Sequence, residues 1–254
     1  MENKNAPEWV DKAWGSTCRT LLGGEVGSIG KFEEYLKRDV PHFRIGKSSI
    51  SGREIVVGGE YVEGTKFISG DEIGKYALAA AQLNVNDIKD IDSIIEALGE
   101  SVRYCGNNLI GNCSNATLAN RLIDSNFVHC SYDVFYSKYV AYSNGVKYCE
   151  YVFGSEGAGK GAHFAIKGFE SYECSRVFEC VHVYNSSDCF YCANVENCHD
   201  CLFSFNLRSK RRCIGNLELQ EGKFAALKAK LKEEIAGELG AKGSVQGILG
   251  IMGG

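Results

Sequence analysis

Four cysteines in the last third of the chain have the residue type and spacing of a metal site. Cys189 and Cys192 form one Cys-x-x-Cys pair, and Cys198 and Cys201 form a second pair shortly after it. Paired thiolates of this kind hold zinc or iron–sulfur clusters. Zinc ribbons usually separate their two pairs by more residues than this chain does. Ligation of zinc or iron–sulfur is therefore kept as an alternative to a structural role for the same thiols.

Three histidines provide a second chemical alternative. Hexapeptide-helix enzymes, including acyltransferases and one class of carbonic anhydrase, use histidines that lie between the coils of a β-helix. His182 and His199 are seventeen positions apart, close to one turn of an eighteen-residue coil, and His129 would have to meet them across coils. No acid–base constellation converges elsewhere in the sequence. We therefore expect no catalytic and no cofactor-binding residue, and a hexapeptide-type enzyme is kept as an alternative.

A glycine-rich segment, residues 154–161, is close to a phosphate-binding P-loop. That loop requires a Ser or Thr hydroxyl after its lysine, and Gly161 occupies this position after Lys160. The residues that follow have strand character rather than helix character. We interpret the segment as a glycine-rich insertion that interrupts the repeat described next.

A six-residue repeat dominates the middle of the chain and includes all four candidate metal ligands. Every third residue is aliphatic or small, and the two kinds alternate. The first block consists of Leu122, Val128, Val134, Val140, Val146 and Val152, separated by Ser125, Ser131, Ser137, Ser143 and Cys149. A strict spacing of three would spiral around a helix, and it does not match the spacing of two in an ordinary strand. The repeat, which returns over 174–207, predicts a β-solenoid whose interior receives these side chains.

The cysteines fit this interior as small side chains. The chain has 12 cysteines, and most occupy repeat positions where Ser also occurs. An unpaired Cys behaves as a small hydrophobic residue of about the size of Ser. We therefore favour reduced, inward-facing thiols, with disulfides between neighbouring coils and metal ligation as alternatives.

The positions between the inward-facing repeat residues hold residue types suited to the corners of the coils. Asn and Asp tolerate the backbone angles that corners need, and stacked coils would align the aromatic residues into outer ladders. The Asn and Asp positions are Asn185, Asp188, Asn194, Asn197, Asp200 and Asn206, and the aromatic positions include Tyr136, Tyr139, Tyr142, Tyr148, Tyr151, Tyr184, Phe190 and Tyr191.

The end of the repeats resembles cysteine-rich repeat proteins of uncharacterised microbial families. The resemblance covers Cys189–Ile214, and its most distinctive part is Asn-Leu-Arg-x-Lys-x-x-Cys-Ile, matched here by residues 206–214. It implies a β-solenoid and carries no activity, so no catalytic residue is transferred from it.

The whole sequence predicts four regions, of which the repeats form one. Residues 1–40 read as an irregular arm with short helical pieces, including 31–38. Residues 41–101 form a small α+β cap, with a β-hairpin and two helices over 72–83 and 86–98. The solenoid occupies 102–207, and 208–254 form a charged helix, over 221–239, with a Gly-rich tail. The predicted fold class is mainly β: a hexad-repeat β-solenoid (β-helix) preceded by the cap and followed by the C-terminal helix.

Two sets of apolar residues outside the repeats need a place to be buried. The second cap helix has a one-sided stripe, which we expect to pack on the core and close the first coil: Ile88, Ile91, Ile94, Ile95 and Leu98. The arm and the tail hold the candidate self-association residues, although packing on the chain's own body is the alternative: Trp9, Trp14, Ile248, Leu249 and Ile251.

Bulk properties narrow the function classes. The net charge of -4 and the pI of about 5.8 disfavour a dedicated nucleic-acid binder, so nucleic acid is expected only if the protein lines a container. The basic run Arg208–Arg212 is the one segment that could grip phosphates. No apolar stretch is long enough for a membrane span and no secretion signal is evident, which predicts a cytoplasmic or particle-associated protein.

The sequence favours a structural protein over an enzyme. Terminal segments suited to exchange, aligned aromatic residues and the lack of a catalytic constellation together predict a self-assembling subunit of a shell, capsid-like particle or filament. Its expected partner is a second copy of the same chain. A metal-binding protein with stacked cysteine thiolates and a hexapeptide-helix enzyme are the two alternatives.

Overall fold

The middle of the chain is a β-solenoid of about nine turns, flanked by an N-terminal helical and small-sheet region and a C-terminal helix. The computed structural model describes residues 6–80 and 88–253. This architecture confirms the predicted fold class.

The solenoid is built from short parallel strands that stack along one axis. Its first strand is β5 (Leu109–Ile110) and its last parallel strand is β16 (Arg211–Ile214), so coil pairing continues past the predicted end at residue 207. The strands between them are β6 (Ser114–Ile123), β7 (Asn126–Phe135), β8 (Lys138–Ala141), β9 (Asn144–Lys147), β10 (Glu150–Phe153), β11 (His163–Tyr172), β12 (Ser175–Tyr184), β13 (Ser187–Phe190), β14 (Ala193–Glu196) and β15 (His199–Leu202). A short antiparallel strand, β17 (Leu217–Glu218), closes the last coil.

One coil contains twelve residues, which corrects the eighteen-residue coil assumed above. Val128 pairs in register with Val140, and Val134 pairs with Val146. The hexad is therefore half a coil. Every third residue has a positive φ and forms a corner, and the Asn and Asp positions predicted as corners, such as Asn194 and Asp200, are all among them. Four corners per twelve residues give the solenoid a square cross-section.

The interior confirms the predicted alternation of bulky and small side chains, but the expectation that residues three apart share one interior column is wrong. Val134, Ser137, Val140 and Ser143 are all fully or almost fully buried. Residues three apart point inward from successive sides, so each enters a different column, and a column repeats every twelve residues. Two columns are mostly aliphatic and two are mostly small. Hydrogen bonds to the backbone of the next coil fix the small side chains in place. For example, the backbone N–H of Ser137 donates to Ser125 Oγ over 3.1 Å.

The predicted insertion is a single residue. Glu150 pairs with His163, thirteen positions on, because the corner at Lys160 is followed by a second positive-φ residue, Gly161. The residues after it form strand β11 rather than a helix, and Ala158 and Ala162 point into the core. The glycine-rich segment is thus part of one coil of the solenoid and not a P-loop.

A small α+β cap precedes the first coil. The predicted hairpin is confirmed as β1 (Arg44–Lys47) paired with β2 (Glu54–Val57), and β3 (Phe67–Ser69) pairs with β4 (Tyr104–Gly106). The hairpin is fixed to the solenoid at Asn107, whose backbone N–H donates to the Val56 carbonyl while its side-chain oxygen accepts from the Val56 N–H. The hairpin, rather than the second helix, therefore meets the start of the solenoid.

Two helices follow β3 in the cap. The first is α3 (Ile73–Ala80), after a 3-10 turn over Gly70–Glu72, and the second is α4 (Ile91–Ser101). Helix α4 begins later than predicted, because Asp90 caps it by accepting from the Ser93 N–H. The predicted start at Asn86 and Asp87, and residues 81–83 of the first helix, lie outside the described residues.

The termini cover one face of the solenoid. The predicted irregular arm is largely helical, with α1 (Glu8–Leu22), a 3-10 turn over Ile29–Phe32 and α2 (Glu33–Lys37). At the other end, α5 (Glu221–Lys242) confirms the predicted charged helix and α6 (Ile248–Met252) forms the apolar end of the tail. Both termini pack on a row of outward residues from successive coils: Ala141, Phe153, Ile166, Phe178, Phe190 and Leu202.

No helix among the described residues is long and apolar enough to cross a membrane.

Candidate functional site

The face covered by the termini contains a buried polar cluster, the arm–tail cluster, formed by Lys167, Glu179, Tyr35, Asp39 and the backbone of Ile248. Lys167 and Glu179 are twelve residues apart, at the same corner of neighbouring coils, and both have a positive φ. Both are fully buried. A buried charge is costly unless it is paired. These two side chains must therefore have partners inside the molecule.

Lys167 binds the arm. Its Nζ lies 2.6 Å from the Asp39 carboxylate and donates to the Tyr35 carbonyl over 3.1 Å. Burial lowers the pKa of Lys167, whereas the hydrogen bond to Asp39 opposes that shift. At Asp39 burial acts to raise the pKa, but the hydrogen bond and charge of Lys167 outweigh it and the pKa is lowered. The short contact to Asp39 thus supplies the buried ammonium of Lys167 with a carboxylate partner.

Glu179 binds the arm and the tail together. Its Oε1 accepts from the Tyr35 hydroxyl over 2.5 Å, and its Oε2 accepts from the Ile248 N–H over 2.8 Å. Burial raises the pKa of Glu179, although these hydrogen bonds and the charge of Lys167 favour the carboxylate. One carboxylate thus fixes the position of α2 and the start of α6 on the same coil.

The arrangement of the arm–tail cluster indicates a structural role. Its lysine and carboxylates are saturated by partners from the arm and tail, and burial raises the pKa of Tyr35 well above its ordinary value. A buried hydroxyl with a raised pKa is a poor nucleophile at neutral pH. The cluster therefore acts as a lock that selects one position of the two termini.

This cluster was missed in the sequence. Its signal is present, because Lys167 and Glu179 lie in the same corner column as Tyr142 and Tyr191, which are both buried. A twelve-residue repeat would have placed the two charges among these aromatic residues and marked them as buried. The hexad alone could not reveal this equivalence.

The stripe of α4 does not pack on the core as predicted. No residue of α4 is buried in the part of the chain that the structure describes. Ile91 is 71% exposed, Ile95 is 60% exposed and Leu98 is 43% exposed. Farther along the chain, Leu109 and Ile110 in the edge strand β5 are exposed as well. The cap therefore leaves an apolar helix face, the α4 stripe, without a partner among the described residues.

The four candidate metal ligands lie in the interior, and each is fully buried. Cys189 pairs in register with Cys201, so these two occupy one column, while Cys192 and Cys198 belong to the two columns beside it. Their thiols point to backbone carbonyls; Cys192 Sγ donates to the Cys201 carbonyl over 3.2 Å. Among residues 6–80 and 88–253, no group of three or more His, Cys, Asp or Glu side chains has the geometry of a metal site.

The thiols repeat the hydrogen-bond pattern of the serines. Cys174 Sγ donates to the Val183 carbonyl, as Ser125 Oγ does to the Val134 carbonyl nine residues ahead. Burial raises the pKa of Cys174 to about 11, so this thiol stays protonated at neutral pH. All 12 cysteines are free in this structure. This arrangement supports the interpretation of the cysteines as small interior side chains.

The three histidines of the enzyme alternative are not brought together. His129 contacts Thr117 and lies under the arm, His182 contacts Glu170 at an exposed corner, and His199 contacts Ser187 on another side. The twelve-residue coil separates positions that an eighteen-residue coil would have aligned. Burial lowers the pKa of His129 to about 4, so it is neutral at physiological pH.

The candidate self-association residues are divided between buried and exposed positions. Trp14 is 1% exposed and packs on Phe32 and Phe153 of its own chain, and Trp9 meets Phe127 edge to face. Ile248 is buried as well, whereas Leu249 and Ile251 are exposed. The single chain thus accounts for both tryptophans, which is the alternative stated above. Their role in self-association stays a prediction.

The basic run is largely neutralised within the chain. It belongs to the last coil and not to a segment leaving the solenoid. Three of its members form ion pairs, namely Arg208 with Glu196, Lys210 with Glu218 and Arg212 with Glu221. Contact with nucleic acid through this run stays a prediction.

Comparison with protein-family models, curated proteins and solved structures finds no match to this chain. The class of the protein, a β-solenoid with its termini folded back on one face, therefore rests on its own structure.

Proposed function

We propose that the protein is a structural β-solenoid subunit that self-associates through the α4 stripe. The observation that carries this proposal is the exposure of Ile91, Ile95 and Leu98 on one face of a capped helix. Burying the side chain of an Ile or Leu is worth about 1.5–3 kcal/mol relative to leaving it exposed. Moving a row of such side chains from water into an interface therefore favours association.

A second copy is the occupant that best fits this face. The stripe is purely apolar, so it is complementary to itself, and a twofold contact buries the same residues on both chains. Exposed apolar residues in the following strands, Tyr104 and Leu109, extend the apolar surface along the chain. Self-association removes all of these from water without needing a charged or shaped partner.

The ends of the solenoid are less suited to association by stacking of coils. The edge strands of the large sheet, β5 and β17, contain two residues each. Short edge strands are a common means of preventing strand addition. A contact through α4 is therefore favoured over a filament in which one solenoid continues the next.

An extended assembly needs a further contact, and the tyrosine ladder supplies a candidate. Tyr136 and Tyr148 stack with ring centroids 4.9 Å apart and are 45% and 51% exposed. Other aromatic ladders, such as Tyr191 and Phe203, lie under or beside the termini. We propose that the α4 stripe pairs two chains and that the exposed ladder connects pairs in a shell, capsid-like particle or filament.

The proposal is tested by measuring the mass of the purified full chain with light scattering across a micromolar concentration series. We expect masses above the 27.8 kDa of one chain. The variant I91S/I95S should return the protein to a single chain, because it removes the two most exposed members of the stripe. The matched control E96S/E100S places two serines on the polar face of the same helix and should assemble as the original chain does.

Two results would reject the proposal. One is a mass of a single chain at every concentration. The other is an assembly whose size is the same for I91S/I95S and for the original chain.

A further inference from the structure

A cleft of about 580 Å³ lies between the last coils of the solenoid and the first two turns of α5. Hydrogen-bond donors from the solenoid line one side of it, namely Ser187, His199, Arg211 and Arg212. The volume is within the range of about 300–1,000 Å³ typical of small-ligand sites. This cleft lies on different elements from the arm–tail cluster and the α4 stripe.

Strand pairing explains why these donors form a row. Ser187 pairs in register with His199, and His199 pairs with Arg211, on three successive coils. Neighbouring strands are about 4.8 Å apart, so a hydroxyl, an imidazole and a guanidinium lie one above another. Ser187 Oγ and His199 Nδ1 are 2.9 Å apart.

The two arginines have unused donor capacity. Arg212 Nε is buried and has no hydrogen-bond partner among the described residues. The nearest carboxylate to its guanidinium is that of Glu221, 3.7 Å from Nη1, which is longer than a normal hydrogen bond. Arg211 forms no ion pair with any residue that the structure describes, although the other basic residues of its coil do. The Arg212 side chain is 42% exposed, so guanidinium nitrogens other than the buried Nε are accessible, and two exposed guanidinium groups without a close acceptor are suited to binding an anion.

The charges of the cleft favour an anion. Arg211, Arg212 and Lys228 contribute three positive charges, and Asp200 and Glu221 contribute two negative charges, so the Arg, Lys, Asp and Glu side chains of the cleft leave one positive charge. Lys228 is already engaged by Asp200. Arg211 therefore supplies the unpaired positive charge, and Arg212 is held only by its long contact to Glu221.

We propose that this cleft binds the phosphate group of a small molecule. A phosphate offers several acceptor oxygens in a tetrahedral arrangement, and the row presents donors of three kinds. Guanidinium groups bind phosphate through paired, charge-assisted hydrogen bonds. Glu221 acts as the internal counter-ion that the phosphate displaces from Arg212. The site is independent of self-association through α4.

Calorimetric titration of the full chain with inorganic pyrophosphate at low salt tests the proposal. One ion should bind per chain, and R211A and R212A should each weaken binding about tenfold or more, since a hydrogen bond to a charged group is worth about 1.5–3 kcal/mol. E221Q should tighten binding, because it removes the competing carboxylate and keeps every donor. R208A, which removes the same charge from an arginine paired with Glu196, should bind as the original chain does.

Different results would contradict the site itself and the class of its ligand. Absence of binding to the original chain, or an affinity of R211A and R212A equal to that of the original chain, would overturn the site. Tighter binding of a single-stranded oligonucleotide than of pyrophosphate would overturn the small-ligand assignment. Because R212A also removes the contact to Glu221, thermal unfolding of each variant is measured in parallel, and the opposite shift in E221Q does not depend on a loss of fold.

Discussion

The arm helix α1 and the cap helix α4 are both amphipathic, but they have opposite fates. Helix α1 buries Val10, Trp14 and Leu21 against the solenoid, whereas α4 buries no residue within the described part of the chain. The same one-sided pattern is thus buried against the chain's own core in α1 and left exposed in α4. An apolar stripe shows that a helix needs a partner, but it does not show whether the partner belongs to the same chain.

The difference arises from what each helix faces. The solenoid side under the arm has an outward row of large apolar residues, including Phe153 and Phe178, and the arm–tail cluster that fixes the position of the arm. Helix α4 follows the hairpin that meets the first coil, and within the described residues the solenoid presents no such row to it. We therefore expect changes under the arm to affect folding and changes on α4 to affect association.

The largest effect is expected for Trp14→Ala. Truncating a fully buried aromatic residue costs about 3–5 kcal/mol, and Trp14 also donates from Nε1 to the Gly27 carbonyl. The free energy of unfolding, measured with denaturant, should fall by that amount. I91S/I95S should change it by less than about 1 kcal/mol under conditions that keep the chain monomeric, because exposed positions contribute little. Equal losses in the two variants would break the comparison.

An effect of similar size is expected for Glu179→Ala. Removing this carboxylate leaves the Tyr35 hydroxyl and the Ile248 N–H without their acceptor in a buried place, at a cost of about 1–3 kcal/mol for each. The tail should also become more sensitive to a protease. Glu170→Ala is the matched control, since Glu170 also has a positive φ at a corner but is exposed. If both variants lose the same stability, the arm–tail cluster does not act as a lock.

A smaller effect is expected from pH, through His129. This residue is buried beneath the arm, and burial lowers its pKa from 6.5 to about 4. As the pH falls below 6.5, the unfolded chain binds a proton that the folded chain excludes, so stability is lost between about pH 6.5 and pH 4 and is unaffected above this window. The loss is on the order of 3 kcal/mol. Denaturant unfolding of His129→Asn should lack this component, whereas His182→Gln should retain it.

An unchanged pH profile in His129→Asn would contradict burial of this residue by the arm. If Trp14→Ala also left the free energy of unfolding unchanged, the two results together would show that the arm is not docked on its own solenoid in solution.

Much of the fold was predictable, because the interior of a solenoid imposes a local rule. Every third residue must fit a narrow core, so the alternation of Val and Ser specifies inward positions, and Asn or Asp marks the corners between them. The number of sides was not predictable from this rule. A hexad fits a coil of twelve or of eighteen residues equally well, and only stacking of Val128 on Val140 distinguishes them.

The candidate sites were harder to predict for the same reason. The role of the cysteines could be inferred, since they alternate with serines at equivalent positions. Lys167 and Glu179 looked like ordinary surface charges, because the arm that buries them is more than a hundred residues away in the sequence. The open face of α4 is a matter of tertiary contacts, which a helical pattern does not contain.

Hydrogen exchange of the backbone amides in α1 and α4, followed as a function of protein concentration, distinguishes a contact within one chain from a contact between two copies. We expect α1 to be strongly protected at every concentration, because its partner is its own chain. Protection of α4 should be weak in dilute solution and should rise as the chains associate, and I91S/I95S should abolish the rise. Protection of α4 that does not change with concentration, whether strong or weak, would contradict the claim that its apolar face is completed by a second copy.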